Sequence, residues 1–341
     1  MVTRSRSVVL FYRYFPRKIS DAVDDLAQWQ QSLAQRLGLT GRVLVADEGI
    51  NGTLSGSEAA LDAYQRACEA WTVPPLLGGY VRPLRGIDWK RSTSEVEPFP
   101  DLVIKRVNQI VAAGNLSYDL KNTGIHLTPE DFHAMVTQDR DDVVLLDVRN
   151  RFENSIGHFV DARGKPALHP NMRNYRPPPP DARILTLTLT LIPTLSGFAE
   201  YVARHRDDFQ GKTVLMYCTG GVRCETASAH IKGEVAAASV YQLQGGIHRY
   251  LEAFPPEQGG RFHGKNFVFD RRVAMPASAS NPALSGIVGQ CSECGAPWDE
   301  LAGAVVCTVC RDMVLVCPSC RESSRHGEWC VAPMHSCSLL N

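Results

Sequence analysis

Two mixed folded domains followed by a small metal-binding tail are predicted for this chain, and three observations carry the prediction. Its first third orders its elements as strand, helix, strand, strand, helix, strand. The middle alternates continuous apolar strands with helices, the pattern of a parallel sheet covered on both faces. Eight of the eleven cysteines lie between Cys291 and Cys337. A length of 341 residues is enough for two or three such units, each with its own core.

Residues 8 to 15 (VVLFYRYF) are β-branched and aromatic and read as a strand. Ser20 precedes an acid-rich turn (Asp21, Asp24, Asp25), and Val23, Leu26, Trp29, Leu33 and Leu37 follow at helical spacing until Gly38. Strands are expected at 42 to 46 (RVLVA) and at Gly52 to Leu54, joined by the turn-rich DEGING. Ser57 opens a helix over 58 to 70, and a last strand is expected near 102 to 107. This order predicts a ferredoxin-like α+β domain over about residues 5 to 115.

A second domain starts at Thr128-Pro129-Glu130-Asp131, an N-cap, a proline at the first helical position, and acids that suit the helix dipole. Strands are expected at 143 to 148 (VVLLDV), 213 to 217 (TVLMY) and Val240 to Leu243, the last followed by Gly245-Gly246 and a helix. The α/β body runs from about 118 to 258, and with its C-terminal extension to 273. Residues 177 to 180 are four prolines, and the Leu/Thr alternation from there to Leu195 is an insertion with β-propensity. Residues 274 to 289, rich in Ala, Ser, Pro and Gly, read as a linker to a cysteine-rich domain over 290 to 341.

Composition narrows the function. The 36 Lys+Arg balance 36 Asp+Glu, so overall charge gives no argument for nucleic acid, and any basic surface must be local. Arg82, Arg85, Lys90, Arg91, Lys105 and Arg106, interleaved with Tyr80 and Trp89, form the one candidate patch, with an ordinary solvated face as its alternative. No apolar run approaches the length of a membrane span. Arg4, Arg6, Arg13, Arg17 and Lys18 give the first 20 residues a transit-peptide-like charge. The strand that begins at Val8 favours a mature N-terminus and a cytoplasmic protein, with an organellar site left open. His126, Glu130 and His133 read as surface residues rather than a facial triad, and there is no flavin or nicotinamide fingerprint.

The segment Tyr217-Cys218-Thr219-Gly220-Gly221-Val222-Arg223-Cys224-Glu225 joins a buried strand to a helix. There a cysteine sulfur faces the unpaired amides of the helix start, which converge on an anion. Gly220 and Gly221 let the loop Thr219 to Val222 curl, and Arg223 adds a permanent cation. The set favours thiolate, the nucleophilic form, on Cys218. Cys224 is read either as a resolving thiol for a persulfide or sulfenate on Cys218, or as a plain residue of the first helical turn.

These residues, with Asp147-Val148-Arg149, Glu153, Gly157-His158 and Gly245-Gly246, resemble the rhodanese superfamily. Its six-residue loop, Cys218 to Arg223 here, is that of the sulfur-handling members, one residue shorter than in the related phosphatases. The resemblance assigns Asp147, Arg149 and His158 to holding loops in place. Tyr12-Arg13-Tyr14-Phe15, Glu48 to Thr53, Pro98-Phe99, Lys105-Arg106 and Lys265 to Asp270 extend the likeness to the rhodanese-like tRNA uridine hydroxylases and their eukaryotic relatives, over about residues 7 to 273. That implies a rhodanese α/β domain after a ferredoxin-like one, tRNA as partner, and oxygen-dependent 5-hydroxylation of wobble uridine with Cys218 as nucleophile. Sulfur transfer by a Cys218 persulfide from a sulfur donor, and a non-enzymatic adaptor that binds through its tail, are the competing functions.

The tail pairs Cys291 with Cys294, Cys307 with Cys310 and Cys317 with Cys320 at CxxC spacing, then adds Cys330 and Cys337. Each pair can present two thiolates to one tetrahedral ion, and eight thiolates suit two structural zinc sites, with His326 or His335 as substitutes. The pair Cys291/Cys294 joins either Cys317/Cys320 or Cys307/Cys310; spacing leaves both open.

Overall fold

The computed structural model describes residues 6–73, 81–114, 116–172, 195, 197–301 and 313–323. It forms two compact units, the first from residues up to Ala112 together with Phe269–Arg272, the second from the remainder.

The first unit runs β1 (Arg6–Tyr14), α1 (Val23–Arg36), β2 (Thr40–Ala46), β3 (Gly49–Gly56), α2 (Glu58–Ala70), β4 (Lys90–Ser94) and β5 (Leu102–Arg106). Its sheet has the order β4-β1-β3-β2-β5. Val9 and Phe11 of β1, Val43 and Val45 of β2, and Ile50 and Leu54 of β3 share one core with Leu26 and Leu33 of α1 and Leu61 and Tyr64 of α2. The Ser57 hydroxyl caps α2 by accepting from the Ala60 amide at 3.2 Å. The ferredoxin-like arrangement is present, with one correction. The strand expected near 102 to 107 is a fifth, edge strand parallel to β2. The fourth strand of the motif is β4, antiparallel to β1.

Two members of the candidate basic patch, Trp89 and Lys90, are buried and two more of its cations are held in ion pairs. Trp89 is in the core and the Lys90 side chain is fully buried, its ammonium 2.9 Å from Asp88 and 5.2 Å from the centre of the Tyr12 ring. Arg91 is bound by Glu58 and by Asp62, and Arg106 pairs with Asp24 at 2.7 Å. Arg82 and Arg85 are exposed, Lys105 is half-buried, and Tyr80 lies outside the described residues. Arg272 is folded into this unit: held by Asp270, it donates to Ser92 Oγ at 2.9 Å and to the Thr93 carbonyl at 3.1 Å on the β4 edge.

The second unit begins with β6 (Ile125–Leu127), α3 (Pro129–Val136), β7 (Val143–Asp147), α4 (Arg151–Asn154) and β8 (Gly157–Phe159). It continues through α5 (Phe198–Arg204), α6 (Arg206–Phe209), β9 (Thr213–Tyr217), α7 (Val222–Glu234), β10 (Ser239–Leu243), α8 (Gly246–Ala253), β11 (Phe262–Phe267), β12 (Ala274–Pro276) and α9 (Pro318–Ser323). The order β6-β10-β9-β7 is parallel throughout, as the alternating pattern predicts. Thr128 caps α3 as expected, accepting from the Asp131 amide at 3.1 Å. Phe159 anchors an aromatic core, its ring 4.6 Å from that of Tyr217 and 4.5 Å from that of Tyr250.

A second, antiparallel sheet, β12-β11-β8, was not anticipated. Its third member belongs to the stretch 274 to 289 that composition marks as a linker. There β12 pairs with β11, and Ala277, Ser278 and Ser285 are buried. Small residues here serve close packing rather than looseness. Among the described residues no helix is long and apolar enough to cross a membrane. The proline run and the Leu/Thr stretch over 177 to 194 lie outside the described residues.

Candidate active site

All five residues of β9 are buried, and the strand lies between β10 and β7, so the chain that leaves its carboxyl end enters the middle of the unit. Cys218 is the first residue out. Gly221 turns the chain with φ +103° and caps α7, a backbone that only glycine adopts without strain. The Gly221 amide donates to Cys218 Sγ at 3.1 Å. From below, the start of α8 grips the same loop. The Ile247 amide donates to the Cys218 carbonyl at 3.0 Å and the His248 amide to the Thr219 carbonyl at 3.2 Å. Gly246 makes this approach possible: a Cβ there would lie 2.5 Å from the Cys218 carbonyl oxygen.

The sulfur is fully buried. Burial alone pushes its pKa up. Opposing it, the Cys224 thiol, the Arg223 charge and the Arg223 and Gly221 amides bring Cys218 down to about 5. Cys224 moves the other way. Burial and the neighbouring Cys218 thiolate hold it protonated, so it acts as a donor.

Arg223 does not point into the loop as an open clamp. Its guanidinium makes a two-point contact with Glu153 at 2.6 and 2.8 Å and reaches Thr219 Oγ1 at 3.2 Å. Thr219 in turn donates to Glu153 at 3.1 Å. Both charged side chains are buried. The carboxylate also accepts from the Asn150 amide at 2.9 Å, closing the capping box of α4. Glu153 is therefore the residue under the loop that sequence reasoning left without a role. The signal was present: a buried arginine demands a buried counter-charge, and Asn-x-x-Glu announces a helix start. Gly246 was legible only as a turn, because the backbone it must approach is 28 residues earlier in the chain.

A second buried pair lies beside the first. Arg149 binds Asp147 through Nε and Nη2 at 2.9 and 2.6 Å and also reaches the Gly157 carbonyl at 2.6 Å. Burial works against the Asp147 charge, but Arg149 holds its carboxyl down at about 2. His158 Nδ1 contacts the Asn154 carbonyl at 3.2 Å. His126 reaches Glu225 at 2.8 Å, His133 reaches Tyr250 at 2.7 Å, and Glu130 is exposed. The three do not form a metal-binding group; among the described residues the one such group is in the tail.

There the sulfurs of Cys291, Cys294, Cys317 and Cys320 all lie within 4.8 Å of one another. The Cys317 amide donates to Cys291 Sγ at 3.3 Å, and Cys320 rides on α9. Two CxxC turns facing each other fit one tetrahedral ion, and of the two open pairings it is Cys291/Cys294 with Cys317/Cys320 that the structure brings together. Cys307, Cys310, Cys330, Cys337, His326 and His335 lie outside the described residues.

A buried low-pKa cysteine, presented by a six-residue loop between an inner strand of a parallel sheet and a helix, defines a rhodanese-type domain. Family models agree: a rhodanese-like domain matches residues 128–253, a UPF0176 acylphosphatase-like domain 6–110, and a rhodanese C-terminal domain 263–338. Over most of its length the chain is similar to a tRNA uridine(34) hydroxylase of Corynebacterium diphtheriae, with 33% identity across 93% of this chain and 91% of that one. A protein of the same name from an Arthrobacter species is 32% identical over 95% of this chain and 98% of its own. Similarity to the Arabidopsis thaliana rhodanese-like domain-containing protein 6 is 32% over 92% of this chain, which spans about half (50%) of that longer relative. The chain belongs to this rhodanese-domain family, whose bacterial members carry the name tRNA uridine(34) hydroxylase.

Proposed function

We propose that this chain is a tRNA-modifying enzyme that hydroxylates the C5 position of the wobble uridine, with Cys218 as its reactive thiolate. The carrying observation is the Cys218 sulfur held near pKa 5 by its loop, in a chain related over nearly its whole length to proteins named for that reaction. A uracil ring is electrophilic at C6. Thiolate addition there moves electron density to C5, where an oxygen electrophile can be attacked, and loss of the C5 proton with the thiolate restores the ring. Overall the reaction consumes dioxygen and a two-electron reductant and releases water beside the hydroxylated base. In this reading Gly221 and Arg223 hold the thiolate, Cys224 donates to it, and Thr219 with Glu153 fixes the loop. Gly220 and Val222 complete the cradle with their backbone. The four-cysteine tail site is read as structural zinc, since four thiolates leave no open position for chemistry. A tRNA substrate is consistent with a cytoplasmic protein, with an organellar site, where tRNA is also modified, as the alternative.

The test is mass spectrometry of wobble uridines from cells lacking the protein, complemented with wild type or Cys218→Ser. Wild type should restore 5-hydroxyuridine and Cys218→Ser should leave it at background. Unchanged tRNA with robust thiosulfate:cyanide turnover would move the assignment to sulfur transfer, a reading favoured by the Cys224 thiol beside Cys218. Full complementation by Cys218→Ser would remove both enzymatic readings and leave the adaptor.

A further inference from the structure

The tail is not an appendage of the second unit; it is packed against the segment that carries Glu153. Gly289, two residues before Cys291, is one point of close approach. A Cβ on it would lie 2.8 Å from the carbonyl oxygen of Ser155, the C-cap of α4. The same Cβ would meet the tail on its other side, 2.4 Å from the Trp298 carbonyl and 2.7 Å from the Leu315 side chain. The Trp298 amide donates to the Gly289 carbonyl at 3.0 Å, and the Leu315 carbonyl accepts from the Ser292 amide at 2.8 Å. Gly289 is thus held among Trp298 and Leu315 of the tail and the end of α4.

Two further grips follow within a few residues. At Gly264 of β11 a Cβ would lie 2.3 Å from the Ile156 carbonyl and 2.7 Å from Val288 Cγ2, so Val288 closes over the junction of α4 and β8. Lys265 of β11 donates its amide to the Ile156 carbonyl at 2.7 Å and its ammonium to the buried Asp299 at 2.9 Å. Val288 and Gly289, the last two residues before the tail, therefore bear on the segment from Ser155 to Gly157 directly, and Asp299 of the tail reaches it through Lys265. That segment ends the four-residue helix whose Glu153 holds both Arg223 and Thr219 of the Cys218 loop.

We infer that metal binding by Cys291, Cys294, Cys317 and Cys320 sets the reactivity of Cys218, by clamping α4 so that Glu153 keeps the loop in its thiolate-holding shape. This rests on the metal-centre reading of the four cysteines. A metal drawing the two CxxC turns together fixes the positions of Trp298 and Leu315, hence of Gly289 against Ser155. Without it those turns lose their common anchor, and α4 loses a wall. Packed interiors transmit such displacements because they hold no slack.

The experiment measures Cys218 alkylation by iodoacetamide against pH in the full-length protein, as isolated and after metal removal by a chelator, with bound metal quantified in each sample. Trypsin makes the reading specific. It cleaves after Arg223, so Cys218 leaves in the peptide Thr213 to Arg223 and Cys224 in the next. Metal removal should raise the midpoint of the Cys218 curve by about one pH unit or more, and returning zinc should restore it. Gly289→Ala, with all four cysteines in place, should shift the curve in the same direction while metal is still bound. This variant guards against a chelated protein that has merely unfolded. A Cys218 curve unmoved by metal removal and by Gly289→Ala overturns the coupling and leaves the metal centre standing. Purified protein with no bound metal overturns both. In either case the tRNA assignment is judged separately, by the wobble-uridine measurement.

Discussion

Cys68 and Cys218 are both fully buried, and they are opposite chemical objects. Cys68 lies on α2 in the first unit's core. Burial dominates there and pushes its thiol up to about 12, and its polar company is the Gln30 amide at 3.7 Å and Tyr64, which itself donates to Gln30. Cys218 feels the same desolvation but ends near 5. The difference lies in what surrounds the sulfur: helix-start amides, the nearby Arg223 charge, and a second thiol that stays protonated. Burial by itself makes a cysteine inert. Burial among preorganised donors makes it a stored anion.

The widest test of that contrast is labelling at neutral pH. With values near 5 and near 12, the thiolate fractions at pH 7 differ by about 10⁵. Peptide mapping after brief iodoacetamide treatment should find Cys218 modified and Cys68 intact. The sign of the pH dependence follows: the Cys218 rate is flat above about pH 6 and falls roughly tenfold per pH unit below 5, whereas Cys68 stays silent until strongly alkaline pH. Equal labelling of the two would erase the comparison.

Breaking the support beneath Cys218 is the next largest effect. Glu153→Gln keeps the size and one acceptor but takes from the buried Arg223 guanidinium its paired carboxylate, leaving the Cys218 thiolate and Asp147 as its negative neighbours. Loss of one partner from such a pair costs about 3–5 kcal/mol. Urea titration should show the midpoint falling accordingly with little change in slope. A loss under about 0.5 kcal/mol, the range of ordinary surface substitutions, would mean that the pair is not the structural foundation of the loop.

Contrasts of this kind were unevenly legible. The Cys218 loop could be read because strand, cysteine, glycines, arginine and helix are consecutive, and each acts within a few residues of the sulfur. Glu153 is legible in the sequence as a helix-start acid but not as the partner of this particular loop, because Thr219 and Arg223 are 66 and 70 residues away. β4 was missed because Lys90-Arg91-Ser92-Thr93-Ser94 carries no apolar alternation. Its place is set by pairing with β1, and the burial of Lys90 depends on Asp88 and Tyr12 rather than on its own hydrophobicity. The stretch before the tail looked like a linker because small residues signal both freedom and close approach, and composition does not distinguish them. The ferredoxin-like order and the parallel sheet were readable because hydrophobic period is a local property. The pairing of the cysteine turns was not, because four sulfurs meet only in three dimensions.

The smallest effect separates the donors around Cys218 from one another. Cys224 is the only side chain in the set that lowers the Cys218 value without a charge, and it does so as a protonated thiol. Cys224→Ala removes that donor and leaves the amides and Arg223 in place. The Cys218 alkylation curve should then move to higher pH by about one unit, the worth of one hydrogen bond to an anion. Cys224→Ser keeps a donor at the same position and should return most of the shift, which a purely structural role for Cys224 would not do. Cys68→Ala serves as the matched change in a buried cysteine of the other unit and should leave the curve where it is. If the alanine and serine variants at Cys224 behave alike, its contribution is packing. The low value at Cys218 then belongs to the backbone and Arg223 alone, and the contrast with Cys68 narrows to the presence of a helix start.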